Sequence, residues 1–119
     1  MLVPGIAERR RGQVVILDLA ARRTLDGFEL FPVVDHLWRQ GDRRFLVNLS
    51  EVPSVISAEI GELVKVRSLV VPHDGRLGLV GLSDRVRTSL QITRLLESFE
   101  VFANEDVAVL SLAGSKPAA

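Results

Sequence analysis

The chain has 119 residues, 47% hydrophobic and 25% charged, and its fifteen basic and fifteen acidic side chains cancel to a formal net charge of zero. That length suits one domain with a real core. Neutrality, with five Phe, one Trp and no Tyr, argues against nucleic-acid binding, which draws on phosphate neutralisation and aromatic platforms, and the lack of cysteine excludes disulfides, thiolate metal sites and a thiol nucleophile.

Met1-Leu2-Val3-Pro4-Gly5 lacks the cationic and apolar regions of a signal peptide. No apolar run is long enough to span a bilayer. The expectation is a soluble, cytoplasmic domain over residues 1–112, without direct membrane insertion, followed by a disordered tail over 113–119.

Ile6 to Arg11 reads as a first strand ending in three arginines, a charged edge that resists aggregation more readily than a phosphate patch. Gly12-Gln13 is a turn. Val14 to Leu19 is a β-branched apolar run with little alternation, as in a strand covered on both faces. Ala20 to Leu25 is a polar connection. Asp26 with Glu29 resembles a capping box and places a helix start near Gly27. Phe28, Phe31, Val34, Leu37 and Trp38 then recur at helical spacing. Pro32 leaves two possibilities, an irregular first turn or a regular helix beginning near Pro32 itself. Gly41 supplies a stop.

Phe45 to Leu49 is a second buried strand, and Pro53 fixes the approach to a helix from about Ala58 to Val71 that ends at Pro72. His73-Asp74-Gly75 forms a turn. Arg76 to Leu82 is a strand whose Gly78 and Gly81 suggest close approach of a neighbouring backbone. Ser83 is a good N-cap for a helix from Asp84 to Leu96, with Val86, Leu90 and Thr93 on one face. Phe99 to Phe102 is a short strand, and Asn104 caps a last helix, Glu105 to Leu112. The order β-β-α-β-α-β-α-β-α predicts an α/β fold, a mixed sheet with an antiparallel N-terminal hairpin and about four helices.

Candidate chemistry is sparse. His36 and His73 have no acidic or histidine neighbour at metal-ligand spacing, and no GxGxxG or P-loop is present. Asp18 could be a functional carboxylate but suits a solvent-facing strand end. Arg76, Arg85 and Arg87 read as solvated charges, Trp38 as a core or helix-face anchor, and Leu69, Val70 and Val71 as core. No catalytic residue, metal or cofactor is expected. The stretch Ser54 to Gly61 is different, because a strand-to-helix turn exposes backbone N–H groups and the positive end of a helix dipole. Ser57 there could accept a phosphoryl group, or could serve only as an N-cap.

Three segments resemble the STAS domain of bacterial anti-sigma factor antagonists, over about residues 6–112. They are the strand Val14–Leu19, the segment Gly41-Asp42-Arg43-Arg44-Phe45-Leu46-Val47-Asn48-Leu49-Ser50, and Leu77 to Ser83 before the helix bearing Val86. The family signature Asp-Ser-[Ser/Thr]-Gly-[Leu/Ile]-Gly aligns with Ile56-Ser57-Ala58-Glu59-Ile60-Gly61. Ala58, without a hydroxyl, stands where the usual phosphoacceptor sits, Ile56 and Asn48 replace two aspartates, and Glu59 replaces a glycine. The resemblance implies a non-catalytic module binding a protein partner, of the serine-kinase anti-sigma factor class, through Ser54, Ile56, Ser57, Ala58 and Glu59. It leaves open an unusual acceptor at Ser57, a fixed negative charge at Glu59, and an accessory role in a transport or signalling complex.

Overall fold

A computed structural model describes residues 5–20 and 27–114. Five strands, β1 (Ile6–Arg11), β2 (Val14–Leu19), β3 (Arg44–Asn48), β4 (Arg76–Val80) and β5 (Glu100–Phe102), lie in the same order in space as in the chain. The β1–β2 pair is antiparallel and the other pairs are parallel. The helices are α1 (Leu30–Arg39), α2 (Ser57–Val70), α3 (Asp84–Ile92) and α4 (Glu105–Ala113). The mixed sheet with an N-terminal hairpin and four helices is therefore as expected.

The pleat sends alternate side chains to opposite faces. Val15, Leu17, Phe45, Val47, Leu77 and Leu79 pack towards α1, α2 and α3. Val14, Ile16, Leu46 and Val80 pack on the other face against Ala108 and Leu112 of α4. Such two-sided coverage explains the continuous apolar run in β2. Gly78 is needed for closeness, since a Cβ there would lie 2.7 Å from the Phe102 ring and 3.1 Å from Leu112.

Several boundaries differ from expectation. α1 begins at Leu30, with Glu29 at its N-cap position and no side-chain cap. The expected box partner Asp26 lies outside the described residues, as does most of the polar connection before it. Phe28 is buried ahead of the helix. Pro32 occupies the third helical position, where its missing N–H costs nothing. α3 stops at Ile92, four residues early, because Arg94 takes a left-handed φ of 59°, which removes Thr93 from the buried face. β3 begins one residue earlier than expected, and β4 ends two residues earlier, at Val80. Ala113 closes α4 instead of opening a tail, and residues 115–119 lie outside the described set. No described helix is long and apolar enough to cross a membrane.

Candidate functional site

The turn from β3 into α2 is braced from below. Asn48 at the end of β3 donates to Asp18 Oδ1 (2.7 Å) and accepts from Ser50 N–H (3.1 Å). Leu49 N–H donates to the Val80 carbonyl (2.9 Å). Gly81, at φ 75°, lets its chain touch Ser50, where a Cβ would come within 2.8 Å of the backbone nitrogen. Ser83 Oγ donates to the Pro53 carbonyl (2.9 Å) while accepting from Val86 N–H (3.1 Å), so one hydroxyl caps α3 and pins the turn.

The helix starts one residue before the expected position, and that shift sets which side chains face out. Ile56, not Ser57, is the N-cap residue, with the extended backbone (φ −93°, ψ 167°) such a position needs. Its side chain cannot accept a hydrogen bond, and it is 44% exposed. Ser57 and Ala58 in the first turn are exposed, and Ser54 is half-buried. The reading of Ser57 as an N-cap is thus corrected. Among the described residues its hydroxyl has no hydrogen-bond partner.

Glu59 is also placed differently from expectation. It is fully buried, so its carboxylate lies beneath the turn and offers no charge at the surface. Oε1 accepts from Ile56 N–H (2.9 Å), and Oε2 accepts from Phe28 N–H (3.3 Å). Gly27 makes room at φ 82°; a Cβ there would sit 2.4 Å from Glu59 Cγ. One helical turn on, Glu62 accepts from Phe31 N–H (3.1 Å). Of these two carboxylates of α2, Glu62 thereby satisfies a donor in the first turn of α1, and Glu59 one in the segment entering that helix. Those partners are thirty-one residues away, and no local pattern signals them.

The other candidates are scattered. Asp18 is held by Arg9 and by Asn48, and its carboxyl is pushed below the ordinary range, chiefly by the Arg9 hydrogen bond and against partial burial. Glu105 is lowered too, first by Arg9 and then, after opposing desolvation, by Arg11. Arg11 also bonds Asp106, and Arg10 bonds Asp42. The three arginines of the edge strand are thus matched with carboxylates and form no anion patch. A hollow of about 350 Å³ beside the turn is lined by Ile6, Ala7, Leu19, Glu51 and Asp18, among others. Neither histidine lines it. His36 is exposed, and His73 bonds the Leu69 carbonyl (2.7 Å) beside Trp38. Trp38 carries the Arg43 guanidinium 3.8 Å from its ring centroid. Among the described residues no group of three or more His, Asp or Glu could hold a metal ion.

The family model described as the STAS domain matches residues 6–108. The fold is similar to that of a candidate anti-sigma factor antagonist of Thermotoga maritima, at 20% identity over 92% of this chain and 95% of that one, with a TM-score of 0.71. It is similar to an anti-sigma factor antagonist of Mycobacterium paratuberculosis, at 14% identity over 96% and 100% of the two chains, with a TM-score of 0.78. A chain of the stressosome, described as a signal integration and transduction hub, matches at 14% identity over 90% and 96%, with a TM-score of 0.72. A comparison with curated proteins returns no match.

Proposed function

Because the chain belongs to the STAS-domain family, we propose that it is a non-catalytic regulatory module that docks a protein partner through Ser54 to Ala58 and the start of α2. The observation that carries this reading is Ile56. Aliphatic residues are among the poorest N-caps, and Ser, Thr, Asp or Asn would each satisfy an orphan donor there. An isoleucine at that position, 44% exposed, gives up local stability and presents an apolar side chain on a rigid platform. Apolar side chains rimmed by small polar ones suit a protein interface. The partner class implied by the family is a serine-kinase anti-sigma factor, and structural neighbours described as anti-sigma factor antagonists favour it.

Regulation differs from the family pattern in this reading, since Ala58 has no hydroxyl to modify. A second reading makes Ser57 the acceptor. Its exposed, unpartnered hydroxyl at the first helical position favours it, because a phosphate there would meet the positive end of the helix dipole.

Capture of partners by the wild type and by Ile56→Ser tests the docking surface. The expected result is loss of the captured partner with a urea midpoint equal to or above that of the wild type. Undiminished capture by Ile56→Ser sinks the proposal. Intact mass after incubation with a captured kinase and ATP separates the two modes of regulation. One added phosphate that Ser57→Ala abolishes selects the second reading.

A further inference from the structure

We propose that Glu59 is the positioning residue of the docking turn, a buried clasp that locks Ile56 to the segment entering α1 and so presents the turn in one fixed arrangement. The inference rests on the docking reading only for what the turn does; the clasp itself is a property of the free protein.

Each oxygen of one carboxylate serves a different stretch of chain, Ile56 N–H on one side and Phe28 N–H on the other. The carboxylate is fully buried, so water does not compete for either bond. Gly27 is shaped around it, with a positive φ and no space for a Cβ against Glu59 Cγ. A fixed acceptor with two oxygens is what this position uses. A glutamine of the same shape offers one oxygen and turns an NH₂ donor towards the other N–H, leaving a buried donor unsatisfied. Filling space is therefore separable from clasping. The turn and the start of α1 open together or not at all, and Phe28, 5% exposed in the core, ties that opening to the packing beneath the sheet.

Amide hydrogen exchange followed residue by residue on the full chain tests this without any partner. In the wild type under mild urea, Ile56 and Phe28 are expected to share one opening free energy. In Glu59→Gln, at least one of the two is expected to exchange about tenfold faster, equivalent to about 1.4 kcal/mol, while Val15, Phe45 and Leu77 in the sheet keep their protection. Exchange at both positions within about twofold of wild type in Glu59→Gln would overturn the proposal, as would a rise spread evenly over all amides. Should the variant fail to fold, distinct opening free energies for Ile56 and Phe28 in the wild type overturn it equally. Loss of docking in Ile56→Ser with the clasp intact, or the reverse, distinguishes failure of one idea from failure of the other.

Discussion

The Arg76 guanidinium, 3% exposed, lies between Glu100 of β5 and the carbonyl and hydroxyl of Ser111 near the end of α4. A cation at a helix C-terminus meets unpaired carbonyls and the negative end of the dipole, so one side chain joins the sheet edge to the helix that covers it. Arg76 reads as solvated in the sequence because an arginine at the start of a strand is usually exposed, and its partners lie 24 and 35 residues away. Replacing it with methionine keeps the apolar stem and leaves the Ser111 carbonyl with only the Gly114 N–H (3.2 Å). Arg76→Met is expected to lose about 2–3 kcal/mol, since hydrogen bonds to charged groups and broken buried pairs lie at this level or above and half-exposed Glu100 can turn to water. Equilibrium urea unfolding checks it, and a loss under about 1 kcal/mol would mean the pair is replaceable by solvent.

Helix ends divide into those set locally and those set from a distance. α3 and α4 each begin with a side-chain cap, Ser83 to Val86 N–H and Asn104 to Val107 N–H. Ser83→Ala and Asn104→Ala are each expected to cost about 1 kcal/mol by urea unfolding, with Ser83→Ala the larger because the Pro53 carbonyl also loses its donor; the reverse order would show that the tie to the turn contributes nothing. These two starts are legible in the sequence because cap and helix adjoin. The start of α1 is not, since Glu62 supplies a first-turn partner and Glu59 holds the segment before it, both from another helix. Nor is the end of α3, because a left-handed arginine carries none of the signal that a glycine would. The same limit applies to the docking turn. Its location can be read from the run of strand, Pro53 and helix, whereas its phase cannot. A helix beginning at Ser57 instead of Ala58 turns Glu59 inward and leaves Ile56 at the surface, and only packing against Gly27 and Phe28 decides between the two.

At the scale of the molecule, strands that follow one another in space place their crossovers on one side, since right-handed connections are strongly favoured. That accounts for α1, α2 and α3 sharing a face and for α4, which makes no crossover, covering the other. Arg9 then ties the sheet to α4 by holding both Asp18 and Glu105. Each carboxyl is depressed in the folded protein below its ordinary value, 3.8 for Asp18 and 4.5 for Glu105. The stability they contribute is therefore complete above that range and is lost as pH falls through the depressed folded values. Unfolding free energy measured from pH 7 down to 3 should decline in the acid limb, less steeply in Arg9→Met, and modestly because Arg9 is 43% exposed. Identical limbs would mean that other carboxylates dominate. The contact between Arg9 and Glu105 spans 96 residues, whereas Asp18 and Asn48 on adjacent strands are 30 apart. Loop-closure entropy grows only with the logarithm of length, so the longer loop costs just roughly 1 kcal/mol more to close. A chain laid down strand beside strand can thus fasten its last helix back to its first hairpin for little more than the entropy of joining two neighbours.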